Sequence, residues 1–330
     1  MGKYLILTIS ILFVLSCQNK KQWTYNDFFE QAFSLIEERS IKKNEIDWEV
    51  LKRTVTDSIN HFQNNEDVYR AIGYTVSLIN DGHSIFLSPQ TPNVFTADTL
   101  PIPDIVTEII DDDIGYIKLT GFIANVDNSR IYSRRIRESL YELDRSSIIT
   151  GWIIDVRENN GGMASMMPLG LAPMFRDSLI GYHVNNKGEY FSEYCTNEYY
   201  RIEDMMVEKN SALNFNLLNK DKPIAVLISD RTASAGEMLA SSFKFQKNTM
   251  TFSTPTKGLT SSLELMEFNS NAKLFLATMY LCNRDKEIIN SGLNPDVECS
   301  SEKAYELAIK WLKTPYDSAY LQKESDRLWD

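Results

Sequence analysis

The chain has 330 residues, of which 43% are hydrophobic and 24% are charged, a balance typical of an ordinary globular protein. Lysine and arginine number 34 against 45 aspartates and glutamates, so the formal net charge is −11. Because an acidic surface repels phosphate, this composition argues against nucleic acid and anionic lipid surfaces as partners.

The first 17 residues have the pattern of a secretory signal. Lys3 precedes an apolar stretch at residues 4–15, which is too short for a comfortable membrane span. A small residue and then Cys17 follow, and this ending resembles a bacterial lipoprotein signal. The resemblance implies cleavage before Cys17 and a lipid anchor on its thiol. An ordinary signal peptide with an incidental cysteine is the alternative.

The residues after the signal give two further expectations. Residues 18–23 form a short polar tether in this interpretation. Gln18 is not the aspartate that retains lipoproteins at the inner membrane, so by analogy we expect the outer membrane. Three cysteines remain after lipidation, which allows at most one internal disulfide, and Cys282 with Cys299 is the expected pair because they are near in sequence.

The mature chain begins with three amphipathic helical patterns, which predict a helical N-terminal subdomain over residues 24–87. The first pattern follows Thr24 as a candidate cap, the second starts near Asp47 and the third follows Asn65. Three prolines and few periodic apolar residues predict a linker or surface loop over residues 88–103.

His83 ends the helical region, directly after Asp81 and Gly82. An unperturbed histidine pKa near 6.5 suits a group that accepts a proton from a hydroxyl at neutral pH. His83 is therefore the candidate general base, with a plain surface or packing role as the alternative. The other histidines are weaker candidates, because His61 falls in an amphipathic helix and His183 in an irregular segment.

From residue 104 onward the pattern alternates between strands and helices, which predicts an α/β core over residues 104–330. Strands are predicted at 105–110, 115–119, 148–156, 224–228, 250–253, 263–268 and 274–281. Helices are predicted at 129–143, 164–174, 236–245 and 302–313. Continuous apolar strands indicate a sheet that is covered on both faces. Residues 181–215 fit neither period, and we expect either a flap over a site or an inert surface hairpin.

Gly161 and Gly162 follow the predicted strand at 148–156. Paired glycines at the end of a strand let the backbone approach a ligand closely and adopt unusual dihedral angles. Their N–H groups could point at an anionic intermediate. A tight turn that only requires positive φ is the alternative.

Ser234 opens a helix after the apolar strand at 224–228. Unpaired N–H groups and the helix dipole favour negative charge there, so the serine is well placed to be a nucleophile. The spacing of Ser234 and Glu237 is equally that of a capping box. Ser234 and the glycine pair both follow strands of one α/β sheet, at the edge where such folds place ligands, which adds weight to the functional interpretation.

These segments together resemble the C-terminal processing (tail-specific) serine peptidase family, which also includes the tricorn core peptidase. The matching motifs stand in the family's order: 46–48, 81–84, 115–119, 154–162, 232–237, 256–258 and 295–296. The resemblance implies a ClpP/crotonase-like α/β core with an N-terminal helical subdomain. It also implies Ser234 as nucleophile, with the N–H of Ala235 and of Gly161 or Gly162 forming the oxyanion hole.

The chain departs from the family pattern at its base. Processing peptidases carry a lysine directly after the glycine of the Thr-x-Gly motif, where this chain has Leu259. The tricorn-like branch instead takes a histidine from the segment that corresponds to His83, preceded by a serine where this chain has Gly82. The supporting glutamate of that branch corresponds only approximately to Glu287.

The predicted function is a lipid-anchored serine peptidase of the cell envelope that acts on proteins or peptides without a metal or cofactor. About 25 residues separate the helical subdomain from Gly115, which is too few for a PDZ domain. The Gly82 and Leu259 departures favour an alternative, a peptide-binding lipoprotein of the same fold that has lost turnover. A coenzyme A enzyme on the crotonase-like core is disfavoured, because a secreted lipoprotein has no obvious supply of that thioester. The oligomeric state stays open.

Overall fold

A computed structural model describes residues 24–59, 61–91, 101–268 and 272–314. The predicted signal at 1–17, its Cys17 anchor, the tether at 18–23 and much of the linker at 88–103 lie outside the described residues. Among the helices of the described ranges, none is both long and apolar enough to cross a bilayer.

The elements follow one another in a mixed order of helices and strands. The helices are α1 (Tyr25–Arg39), α2 (Trp48–Ile59), α3 (Asn65–Ile79), α4 (Val126–Ser146), α5 (Met166–Leu171), α6 (Ala235–Lys244) and α7 (Ser301–Lys313), with a 3₁₀ turn at Ala172–Met174. The strands are β1 (Ile85–Leu87), β2 (Val106–Ile110), β3 (Ile114–Lys118), β4 (Gly151–Asp155), β5 (Leu179–Asn185), β6 (Tyr190–Cys195), β7 (Tyr199–Ile202), β8 (Met205–Lys209), β9 (Ile224–Ile228), β10 (Thr249–Ser253), β11 (Ser261–Glu267), β12 (Lys273–Cys282) and β13 (Val297–Glu298).

The chain divides into two compact units. The first contains the described residues before 92 together with Val184–Glu189 and Ser261–Tyr280. The second contains the described residues from 101 to 183, Tyr190–Thr260 and those from Leu281 to 314. The domain boundaries drawn from the sequence stay predictions.

Three helices and three antiparallel strands build the first unit. The predicted cap of α1 is present, because Thr24 and Asp27 each accept the other's main-chain N–H, at 3.1 and 2.9 Å between nitrogen and oxygen. The predicted apolar face of α1 is buried against α2 and α3. Strands β1 and β11 both pair antiparallel with β12.

The second unit contains the predicted α/β sheet, with strand order β13-β10-β9-β4-β3-β2. Every pair is parallel except β2 with β3, as expected where helices connect the strands. Trp152 and Ile154 of β4 pack with α4, α5 and α6, whereas Ile153 packs with α7. Alternate residues of one strand therefore enter two separate cores, which confirms a sheet covered on both faces.

The segment at 181–215, which fitted neither period, contains β5 to β8. Strands β6, β7 and β8 form an antiparallel meander. Buried polar side chains connect β5 with this meander: His183 Nε2 lies 3.2 Å from a carboxylate oxygen of Glu193, and the Tyr200 hydroxyl donates to the other oxygen. Because these buried polar side chains replace apolar ones, the alternation that marks a strand is lost from the sequence.

The expected disulfide between Cys282 and Cys299 is not formed, since both residues and Cys195 are thiols. Cys282 ends β12, whereas Cys299 follows β13 and donates its main-chain N–H to Ser253 in the other sheet. Nearness in sequence therefore does not bring the two sulfurs together. Burial raises the pKa of Cys282 and of Cys299 to about 11, so both thiols stay protonated at neutral pH.

Candidate active site

Ser234 occupies a strained backbone position between β9 and α6. Its φ is 53° and its ψ is −121°, outside the regions that residues with a Cβ normally adopt. Such a conformation costs on the order of 1–3 kcal/mol and persists only where the surroundings enforce it. Strain of this kind is concentrated at catalytic and ligand-binding positions.

The turn before Ser234 is fixed by hydrogen bonds to the end of β4. Thr232 Oγ1 accepts the Ser229 N–H at 2.9 Å and donates to the Val156 carbonyl at 2.8 Å. The Ala233 N–H donates to the Asn159 carbonyl at 2.9 Å. The two chain segments that follow β4 and β9 are therefore bound to each other.

Glu237 holds the turn from the other side. Its carboxylate is fully buried and accepts four hydrogen bonds. One oxygen accepts the Ser234 N–H at 3.0 Å and the Leu259 N–H at 2.8 Å. The other accepts the Thr256 hydroxyl at 2.5 Å and the Gly258 N–H at 2.8 Å. The glutamate thus reaches back as in a capping box, and it also binds the 256–259 segment to the serine turn.

Gly161 lies directly against Ser234. A Cβ on Gly161 would be 3.0 Å from the serine Cβ and 3.4 Å from its Oγ, and the glycine φ is 117°. Gly162 has a φ of 144°, and a Cβ there would be 2.3 Å from the Phe122 carbonyl oxygen. Both positions therefore require glycine, for the backbone angle and for the close approach of a neighbour.

The N–H groups around Ser234 are not equivalent. Gly161 donates its N–H to the side-chain oxygen of Asn159 at 3.1 Å. The N–H groups of Gly162 and Ala235 make no hydrogen bond within the described parts of the chain. Of the two glycines that the sequence offered as oxyanion donors, Gly162 is the one whose N–H stays available.

Asn159 connects these elements, and its role was missed from the sequence. It is fully buried, and its amide nitrogen donates to the Leu119 carbonyl at 3.2 Å. Its side-chain oxygen accepts from Gly161 and its main-chain oxygen from Ala233. Asn159 belongs to the 154–162 motif, but spacing in the sequence does not predict that one residue accepts hydrogen bonds from both Gly161 and Ala233.

His83 lies in the first unit, at the turn before β1. Asp81 accepts the N–H of His83 at 2.9 Å and that of Ser84 at 2.7 Å, which is an Asx turn. The imidazole is buried, and its Nδ1 lies 2.8 Å from the Ser261 hydroxyl. Burial lowers the pKa of His83, against opposing effects of the Asp81 charge and a hydrogen bond to the Ser261 main chain.

Glu287 lies on the surface of the second unit, in a tight turn after β12. Asn283 donates its amide to the glutamate carboxylate at 2.8 Å and accepts the Glu287 N–H at 2.9 Å. The assignment of Glu287 as the group that orients His83 stays a prediction. The partner found at His83 Nδ1 is Ser261, which the sequence did not suggest.

The other residues that the sequence offered as a general base lie elsewhere in the fold. His183 is buried beside Glu193 within the meander sheet. His61, predicted inside a helix, instead lies exposed in the connection between α2 and α3. Lys257 is exposed, and only its main-chain N–H is engaged, with Thr232. No group of three His, Cys, Asp or Glu side chains in the described ranges is arranged to hold a metal ion.

Two curated proteins are similar to this chain in sequence. A nisin-resistance protein from Lactococcus lactis subsp. lactis is 26% identical over 199 residues, which is 60% of this chain and 59% of that protein. Carboxyl-terminal-processing peptidase 2, chloroplastic, from Arabidopsis thaliana is 27% identical over 216 residues, which is 64% of this chain and 37% of that protein. The chain thus spans less than two thirds of these curated relatives.

Solved structures share the fold. The structure of a lipoprotein from Streptococcus agalactiae superposes with a TM-score of 0.75 at 20% identity, covering 91% of this chain and all of that one. The photosystem II D1 C-terminal processing protease gives a TM-score of 0.60 at 15% identity, with 89% and 98% covered. The model of peptidase family S41 matches residues 113–299, more than half of the sequence. The chain therefore belongs to peptidase family S41.

Proposed function

We propose that this protein is a serine peptidase with Ser234 as its nucleophile. The observation that carries the proposal is the strained φ of Ser234 at the start of α6, with Gly161 packed against its side chain. The unused N–H groups of Gly162 and Ala235 and the membership in family S41 support it.

The proposed reaction proceeds through an acyl-enzyme. Ser234 Oγ attacks the carbonyl carbon of the peptide bond, and His83 Nε2 accepts the hydroxyl proton. The N–H groups of Ala235 and Gly162 stabilise the oxyanion that forms. His83 then donates its proton to the leaving amine. A water molecule, activated by the same imidazole, hydrolyses the ester and restores the serine.

A fluorophosphonate probe tests this assignment. We expect the mature protein to be labelled on Ser234, with no labelling of Ser234→Ala and at least a hundredfold slower labelling of His83→Ala. Rates of hydrolysis of unfolded proteins should follow the same order, with the parent fastest, His83→Ala much slower and Ser234→Ala inactive. A folded parent protein that is neither labelled nor able to cleave any member of a broad peptide panel would contradict the proposal.

A second candidate function is peptide binding without turnover. It is favoured by Leu259, which stands where processing peptidases carry their lysine. This candidate predicts that peptides bind with equal affinity to the parent and to Ser234→Ala, and that the parent leaves them intact. Isothermal titration followed by mass spectrometry of the same samples separates the two functions.

For location, we propose a lipid anchor on Cys17 in the cell envelope, with the outer membrane as the expected site. The lipoprotein-like sequence ending at Cys17 supports the anchor, and one structural neighbour is described as a lipoprotein. Metabolic labelling with a clickable palmitate analogue should mark the parent and not Cys17→Ser. Labelling of both proteins, or of neither, would contradict the anchor.

A further inference from the structure

Ser261 is the polar residue that the fold brings to the candidate base. It opens β11, where it pairs with Tyr280 of β12 in antiparallel register. Its Oγ lies 2.8 Å from His83 Nδ1, and the imidazole is only 8% exposed. Because water has little access to the ring, the contact with Ser261 has a large influence on where the ring holds its proton.

A bulge in β11 frees Ser261 from the apolar pattern of its strand. The register with β12 shifts between Ser262 and Leu263. A bulge changes the direction of a side chain relative to regular alternation, and such irregularities recur beside active sites. Ser261 can therefore be directed at His83 while the strand beyond the bulge keeps its own register.

The chemistry of the contact favours one tautomer. A neutral imidazole carries one proton, and its two nitrogens then act as one donor and one acceptor. A hydroxyl can take either role, so the 2.8 Å contact by itself fits a donor or an acceptor at Nδ1. In the proposed function Nε2 accepts the Ser234 proton, because Nδ1 already faces Ser261. A nitrogen that accepts a proton carries none in the neutral ring. The proton on the neutral ring is therefore directed to Ser261 through Nδ1.

The side chain that contacts Nδ1 is a hydroxyl and not a carboxylate. Asp81 is the charged residue that acts on the ring, and its oxygens are already engaged. They accept the His83 N–H, the Ser84 N–H and the Ser84 hydroxyl, the last at 2.5 Å. The acid thus shapes the turn and contributes its charge, whereas the direct partner of Nδ1 is a neutral hydroxyl.

We propose that Ser261 is the positioning residue for the base: it holds His83 in the Nδ1–H tautomer, so that Nε2 is the proton acceptor. This inference rests on the proposed function for the identity of the proton donor, Ser234. The proposed active site then consists of Ser234 as nucleophile, His83 as base and Ser261 as the residue that positions the base. A hydroxyl stabilises the imidazolium less than a carboxylate would, so the base stays neutral to lower pH.

The proton position can be read directly by NMR, because the chain has three histidines. In ¹⁵N-histidine-labelled mature protein, we expect the neutral His83 ring to show the Nδ1–H pattern. Ser261→Ala should show a mixture of tautomers, and Ser261→Thr, which keeps the hydroxyl, should restore the parent pattern. A parent ring protonated on Nε2, or an unchanged pattern in Ser261→Ala, would overturn the proposal.

Labelling kinetics supply the functional measurement. Loss of one neutral hydrogen bond predicts about tenfold slower fluorophosphonate labelling of Ser261→Ala, and parent-like labelling of Ser261→Thr. Ser261→Asp places a negative charge beside the ring, which stabilises the imidazolium and moves the acid limb of the labelling profile to higher pH. Ser262→Ala is the matched control, with the parent profile expected. An acid limb in Ser261→Asp that stays at the parent pH contradicts the assignment.

The two proposals fail separately. If Ser234 is never labelled but the parent ring carries the Nδ1 proton in a Ser261-dependent way, the peptidase function falls and the positioning role stands. If Ser234 is labelled and Ser261→Ala, with the parent melting temperature, keeps the parent rate and tautomer, the positioning role falls and the function stands.

Discussion

Glu237 does more than the capping box that its spacing from Ser234 predicted. As a cap, it accepts the Ser234 N–H; as a buried anion, it also accepts the N–H groups of Gly258 and Leu259. A capping box alone would leave the second carboxylate oxygen in water. Here that oxygen is buried and occupied, so the geometry of the serine turn depends on a segment twenty residues further along the chain.

Replacing this anion should damage both stability and the serine turn. In Glu237→Gln, an amide NH₂ group must face donors, so at least one buried N–H loses its acceptor. We expect a loss of roughly 3 kcal/mol in the free energy of unfolding by urea, together with slower labelling of Ser234. Glu306→Gln, at an exposed position on α7, is the control and should behave as the parent. An unfolding free energy equal to that of the parent would show that the anion is not needed.

Gly161 combines two requirements that a pair of substitutions can separate. Gly161→Ala meets both an unfavourable φ of 117° and the Ser234 side chain at 3.0 Å. Gly188→Ala meets only an unfavourable φ of 76°, with no neighbour within 4 Å. We expect Gly188→Ala to lose on the order of 1 kcal/mol of stability and Gly161→Ala to lose more, because it also meets Ser234. Only Gly161→Ala should slow Ser234 labelling, by tenfold or more. Equal labelling rates in the two variants would contradict a close Gly161–Ser234 contact.

At the scale of elements, the spacing of apolar residues predicted several of the helices and strands. The helices α1, α2, α3 and α7 follow from apolar faces, and β9 with the start of α6 follows from an apolar run and a polar turn. The sequence also indicated Ser234 and the glycine pair, because strand ends and glycines are local signals. Ser261 could not be found in this way: a single serine at the start of a strand has no distinctive spacing, and its partner lies 178 positions away.

The strands β5 to β8 were missed from the sequence because buried polar side chains interrupt their apolar alternation, and the same side chains affect stability. His183 and Glu193 are almost fully buried, and the Tyr200 hydroxyl donates to the same carboxylate, so removing Glu193 takes a buried partner from both side chains. We expect Glu193→Leu to lose about 3 kcal/mol or more in the free energy of unfolding, and the double variant His183→Leu/Glu193→Leu to recover part of it. Urea denaturation measures both. Asp204→Ala, at an exposed ion pair, is the control and should stay within about 0.5 kcal/mol of the parent. A double variant that is less stable than Glu193→Leu would show that His183 stabilises the fold without Glu193, which contradicts the coupling of the two residues.

For the molecule as a whole, the free thiols mean that no disulfide among the described residues stabilises the fold. The described chain has no disulfide, so its two units depend on packing and hydrogen bonding. We therefore expect the same melting temperature with and without a reducing agent. After denaturation, the mature chain should take up alkylating reagent at Cys195, Cys282 and Cys299, and hardly at all while folded. A melting temperature that falls on reduction would reveal a disulfide.

The 256–259 segment has a consequence for how this family can change. Gly258 and Leu259 support Glu237 through main-chain N–H groups, which every residue except proline provides. The side chain at position 259 is therefore not needed to hold the serine turn. A lysine at position 259 would leave both of these hydrogen bonds in place, so the backbone of the serine turn is compatible with either side chain at this position.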